Sequence, residues 1–167
     1  MGSRETRPGP RKDHPARNVQ PKQHDTYARR SKRSKALVCD GCGVVYHGGK
    51  WYWGAPPLTD VDGGLCPACE RVRDRYPAGE IRIHPGLLAF RDEILNLISN
   101  VEELEKAEHP LERLMDVQDS EDGILVTTTG LHLARRVAGK LKRRFGSKVS
   151  IRYPEEQNLI FVDLSDH

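Results

Sequence analysis

The chain has no apolar run longer than about five residues, far short of the roughly 20 that a membrane-crossing helix needs. Its first residues lack the apolar stretch of a secretory leader. A membrane-embedded protein is thereby excluded, and an exported one is not expected. Aromatic residues are scarce at 6%, and apolar residues of all kinds reach 37% against 31% charged. With that balance, 167 residues cannot all contribute to one buried core, so the folded part is expected to be shorter than the chain. Catalytic signatures are also missing. There is no HExxH helix, no phosphate-cradling glycine loop, and no Ser, His and Asp in a triad-like order. The seven histidines do not converge on one segment. His84 and His132 fall near expected helix starts, where a capping or surface role fits better than general-base work. Neither enzymatic activity nor a small-molecule substrate is expected.

What is present is unevenly placed. Residues 1–36 hold eleven Lys/Arg against three Asp/Glu, a net +8, whereas the other 131 residues hold 16 against 21, a net −5. The overall +3 conceals a basic arm joined to a mildly acidic body. The arm (1–36) carries Pro8, Pro10, Pro15 and Pro21 and almost no large aliphatic side chains. It cannot offset an ordering cost of roughly 1–2 kcal/mol per residue, and it reads as disordered when free. Its densest cluster is Arg29, Arg30, Lys32, Arg33 and Lys35, beside Tyr27. Such arms bind phosphate backbones through counterion release, without reading base sequence; a solubilising tail is the plainer alternative. Gly2 to Thr6 formally fits an acylation pattern, but that pattern is short and non-specific.

All four cysteines lie in two CxxC pairs, Cys39-Asp-Gly-Cys42 and Cys66-Pro-Ala-Cys69, 23 residues apart. Each CxxC turn offers two converging sulfurs, and four thiolates are the preferred tetrahedral set for one structural zinc ion. Two disulfides are the rival reading, opposed by the absence of a secretion signal. A redox CxxC would require a thioredoxin-like frame that the pattern does not show. The module (37–79) is expected to be a zinc ribbon. Its spacer has room for a hairpin from Val44-Val45-Tyr46 through Gly48-Gly49 to Lys50-Trp51-Tyr52-Trp53. His47 reads as a loop residue. Lys50, Trp51 and Trp53 are candidate nucleic-acid contacts, the indoles by stacking on bases. Because neighbouring hairpin residues face opposite ways, at least one of these aromatics should pack on the knuckles instead.

Residues 80–164 alternate strand-like and helical periods. Glu80 to Ile83 alternates. Leu87, Phe90, Ile94, Leu97, Ile98, Val101 and Leu104 then recur at three-to-four spacing, opposite Arg91, Glu102, Glu103, Glu105 and Lys106, to about Glu108. Leu111 to Asp119 reads as an irregular strand, Asp122-Gly123 as a turn, and Ile124 to Thr128 as the next strand. Thr128 or Thr129 is expected to cap a second helix ending near Phe145-Gly146, with Ala134, Val137, Ala138, Leu141 and Phe145 inward. Two more strands follow, from Lys148 and from Leu159. The order β-α-β-β-α-β-β implies an α+β, sandwich-like domain with helices on one face of an antiparallel-rich sheet. Arg135, Arg136, Lys140, Lys142, Arg143 and Arg144 crowd the second helix with no acid among them. An unbalanced stripe points to an external anion, most simply a phosphate backbone. The alternative is pairing with the body's own acids, such as those of the first helix.

As an ordered series, several motifs resemble the eukaryotic and archaeal adaptor family that escorts the large ribosomal subunit. They are Leu65-Cys66-Pro67-Ala68-Cys69, Ile81-Arg82-Ile83, the long helix, Glu121-Asp122-Gly123-Ile124, the Thr run, His132, Ala134-Arg135-Arg136 and Lys148-Val149. The likeness runs from the second knuckle to Ile151, about half the chain, and this chain looks like the short stand-alone relatives found in bacteria. The family adaptor has more CxxC pairs, an insertion between them and domains with transport signals, so nuclear export is not carried over. Cys66 and Cys69 carry over as metal ligands; Cys39 and Cys42 rest on pairing. The resemblance implies contact with large-subunit ribosomal RNA or protein.

The expectation is therefore a non-catalytic, zinc-binding cytoplasmic factor on the ribosome or its RNA, acting in assembly, stress-time protection or hibernation. A zinc-ribbon adaptor between proteins, linked to transcription, is the alternative.

Overall fold

A computed structural model describes residues 27, 35–58, 60–154 and 158–166. The expectations for Arg29, Arg30, Lys32 and Arg33, and for the order or disorder of the arm around them, fall outside these residues.

The fold is α+β with two separate sheets. The first contains β1 (Ala36–Cys39), β2 (Val45–His47), β3 (Lys50–Tyr52) and β4 (Val61–Gly64), in the order β3-β2-β1-β4. The expected hairpin is β2 and β3. Gly48 and Gly49 both adopt positive φ (60° and 85°), the combination that lets a two-residue loop follow the strand twist. His47 is not in the loop but closes β2, paired with Lys50. Two strands were not foreseen. β1 pairs antiparallel with β2 and parallel with β4, placing Cys39 opposite Gly64. That pairing makes both CxxC turns leave the same end of the sheet. The second turn runs directly into a further unforeseen element, α1 (Pro67–Asp74), with Pro67 in the first turn and the chain reversing through a left-handed Arg75.

The second sheet has the order β6-β7-β5-β9-β8. Its strands are β5 (Gly79–Ile83), β6 (Leu114–Ser120), β7 (Gly123–Thr128), β8 (Lys148–Arg152) and β9 (Ile160–Ser165). Neighbours are antiparallel except β5 and β9. A 3-10 segment (Pro85–Phe90) feeds α2 (Arg91–Glu108), and α3 (Leu131–Phe145) follows β7. The β-α-β-β-α-β-β order is as expected. The expected irregularity of the third segment is a register shift in β6 between Leu114 and Asp116.

Alternation explains the layering. Ile81 and Ile83, Ile124 and Val126, and Ile160, Val162 and Leu164 are buried and meet Ile94, Ile98 and Val101 of α2 and Leu133, Val137 and Leu141 of α3. Both helices therefore cover one face of the sheet. Gly79 permits a close approach of α3 to the sheet: a Cβ there would stand 2.5 Å from Thr128 Oγ1 and 2.7 Å from Ala134 Cβ. Two expected core assignments change. Leu104 is 70% exposed, and Phe90 is about half exposed although it touches Phe145. Glu105, expected on the outer face, is instead buried. Among the described residues, no helix is long and apolar enough to cross a membrane.

Candidate metal centre and basic helix face

Cys39 ends β1, Cys42 sits in the turn after it, Cys66 precedes α1, and Cys69 lies in its first turn. The first turn is closed by hydrogen bonds from Gly43 N to Cys39 O (2.8 Å) and from Cys39 N to Val44 O (2.9 Å). Backbone amides also point at sulfur: Cys66 N donates to Cys39 Sγ (3.2 Å) and Cys69 N to Cys66 Sγ (3.4 Å). All four Sγ atoms lie within 4.8 Å of one another, and none is in a disulfide. Cys42 Sγ and Cys66 Sγ are 3.7 Å apart. A tetrahedron with metal–sulfur arms of about 2.3 Å has edges of about 3.8 Å, so the cluster has the dimensions of a four-thiolate site.

The thiols differ in how readily they ionise. Burial opposes charge on Cys39, but amide hydrogen bonds from Cys66 and Gly41 outweigh it and bring the thiol down to about 7. Burial pushes the Cys66 and Cys69 thiols up. Four thiolates cannot crowd together without positive charge between or beside them.

Part of that charge comes from a residue that sequence reasoning missed. Arg113, in the loop between α2 and β6, is buried. Its Nη2 donates to Cys42 Sγ at 3.1 Å and reaches Cys66 Sγ at 3.6 Å, and its Nη1 reaches Cys69 Sγ at 3.5 Å. Nε donates to Pro110 O at 2.6 Å. The guanidinium also lies 5.5 Å from the Trp53 ring centroid. Burial works against its charge, but the Cys42 hydrogen bond and the neighbouring sulfurs overcome that and hold its pKa above the ordinary arginine value. Nothing local in the sequence marks Arg113; only the fold brings it 71 positions back to Cys42.

The ribbon's aromatics have structural partners. Trp51 packs on the cysteine cluster and on Tyr46, with ring centroids 5.1 Å apart. Trp53 donates its indole N–H to Lys106 O at 2.7 Å, tying the hairpin to the end of α2. The expectation that at least one aromatic packs on the knuckles holds for Trp51. Lys50 is exposed at the edge of the sheet, and Lys35 pairs with Asp60 at 3.8 Å.

All six cations of α3 are exposed, and they divide by partner. Arg136 bonds the buried Glu105 carboxylate at 2.6 Å, and Arg144 bonds Glu93 at 2.8 Å. Arg135 donates to the Tyr153 hydroxyl at 2.7 Å and lies 5.1 Å from its ring centroid. Lys140, Lys142 and Arg143 have no carboxylate within 4.0 Å among the described residues. Pairing with the first long helix thus accounts for two of the six, and three stay open. The expected threonine cap is replaced. Gly130 opens α3, and the Leu133 amide is held by Glu112 Oε2 at 2.8 Å. Thr129 Oγ1 is already engaged, accepting from Arg113 N (2.9 Å) and donating to Leu111 O (2.6 Å).

No known family model, curated protein or solved structure matches this chain.

Between α2 and α3 runs a groove of about 430 Å³ lined by Leu97, Val101, Leu104 and Phe145, with Glu93, Lys140 and Arg144 among its polar residues.

Proposed function

We propose that this chain is a non-catalytic, zinc-stabilised cytoplasmic factor that holds RNA, with the large ribosomal subunit as its target. The supporting observation is the open part of α3. Lys140, Lys142 and Arg143 are exposed, with no carboxylate within 4.0 Å among the described residues, and their mutual repulsion is relieved by an external polyanion. The basic residues of the arm add to the same charge. Choice of the ribosomal subunit follows from the motif resemblance alone. A four-thiolate set at these separations accords with zinc. Because such a site is closed to further ligands, it serves structure rather than catalysis. Free thiols in place of disulfides accord with a reducing compartment. Cys39, Cys42, Cys66 and Cys69 would hold the ion, which supplies the cross-link that a module with so small an apolar cluster needs to stay folded.

The deciding experiment is crosslinking in cells followed by sequencing of the attached RNA, paired with gradient sedimentation. Enrichment of large-subunit RNA and co-migration with that subunit are expected. Migration only at the top of the gradient at low salt, with no RNA enriched, contradicts the proposal.

A second reading, an adaptor between proteins, is favoured by the groove between α2 and α3 with Leu104 exposed on it. A partner that stays bound after nuclease treatment would select it.

A further inference from the structure

The cysteine cluster is built by β1, the turn after it and the start of α1, yet a cation from the loop that enters β6 reaches it. Arg113 belongs to the segment that enters β6, and its backbone is fixed there. Its N–H donates to Thr129 Oγ1, and its carbonyl accepts from Thr129 N, both at 2.9 Å. Its side chain leaves that frame and spreads its two terminal nitrogens over Cys42, Cys66 and Cys69. Leu111, two residues earlier, packs on the cysteine cluster. Trp53 crosses in the opposite direction, from the ribbon to Lys106 O.

We infer that Arg113 is a built-in outer partner of the metal centre, so that loading the metal also docks the ribbon onto the αβ layer. The inference rests on zinc occupying the four thiolates, and its physical basis is charge. Four thiolates around a divalent ion leave two negative charges, and among the described residues Arg113 is the cation whose nitrogens reach the sulfurs. Buried charges persist when paired and hydrogen-bonded. A planar guanidinium can address several acceptors at once, which an ammonium group does less well. N–H···S bonds draw electron density from the thiolates, lowering their donation to the metal while stabilising the assembly. Without the metal the three sulfurs that the guanidinium spans lose the ion that fixes their positions, which loosens the ribbon's hold on the Arg113 segment.

The test uses the full chain, with zinc content measured first. One zinc per wild-type chain establishes the ion that the inference depends on, and a metal-free wild type defeats the zinc reading itself. On that footing, Arg113→Met and Arg113→Lys are compared with wild type in chelator competition and, with cobalt(II) replacing zinc, in the thiolate-to-metal charge-transfer band. Arg113→Met is expected to weaken metal retention about 10- to 100-fold, the range typical of lost outer partners, and to move the band to lower energy. Arg113→Lys should fall between. A band unmoved in both variants overturns the inference even if stability changes, because general loosening of a fold does not tune the metal's spectrum. If Arg113→Met does not fold, the wild type still decides through hydrogen exchange with and without chelator. Chelation should raise exchange at residues 106–114 while α3 stays protected; unchanged exchange at 106–114 in a protein that has lost its zinc overturns the inference.

Discussion

Glu105 and Arg136 show how one residue's role changes when its surroundings are known. On a helical wheel Glu105 belongs with Glu102 and Glu103 in water; in the fold it is 3% exposed and sealed by Arg136. Removing the arginine leaves a buried carboxylate without its partner. Because the Arg136 side chain is itself 61% exposed, solvent moderates the effect, and Arg136→Ala should cost about 1–2 kcal/mol. Arg143→Ala, on the open face, should stay within about 0.5 kcal/mol. Urea titrations of both variants check this, and equal midpoints would refute the distinction. RNA binding should show the reverse order, with Arg143 the more sensitive. Sequence alone shows six equivalent cations on α3, because the helical period marks which residues face out but not which acids on a distant element wait there. The cysteines were legible for the opposite reason. Their chemistry demands proximity, so type and spacing were enough to group them, although Arg113 beside them was not.

At the scale of elements, legibility follows the length of the pattern. α2, α3 and the strands of the larger sheet repeat a 3.6- or 2-residue period long enough to declare themselves. β1 and β4 span only four residues each, and β4 reads Val-Asp-Gly-Gly with no alternation at all; their pairing is imposed by the cysteine turns they bring together. α1 is eight residues long and polar, but it carried signals that could have been read: Pro67 at its start, Glu70 in its first turn and arginines in its last. The start of α3 failed as a sequence reading because its cap comes from outside. Glu112 supplies both a hydrogen-bond acceptor for Leu133 N and the negative charge that the first turn lacks. Glu112→Ala should therefore destabilise the fold by about 0.5–2 kcal/mol, whereas Glu103→Ala should leave the urea midpoint almost unchanged. Equal effects would assign the loss to general surface charge rather than to capping.

For the whole molecule, the arrangement is a small cysteine-centred sheet fastened to a larger αβ layer, in which Lys140, Lys142 and Arg143 of α3 have no carboxylate partner among the described residues. Tyr27, at the edge of the basic cluster, stacks beside Tyr76 (5.9 Å) and under Arg71 (4.5 Å) and hydrogen-bonds Asp74 (3.1 Å). Tyr27 is thus held against α1, within the module that carries the cysteine cluster. On this account phosphate contacts come from the arm and from α3, and the zinc centre keeps the module between them rigid. The most direct measurement is the salt dependence of binding to purified large-subunit ribosomal RNA, for wild type and for the combined variant Lys140→Glu, Lys142→Glu, Arg143→Glu, with the urea midpoints of the two compared first. Each lost phosphate contact removes about 0.7–0.9 from the slope of log affinity against log salt, so the variant should bind at least about tenfold more weakly near physiological salt and its slope should flatten by about 2–3. A variant that folds like wild type and keeps the same affinity and slope would contradict the claim that the open face of α3 is where this protein holds RNA.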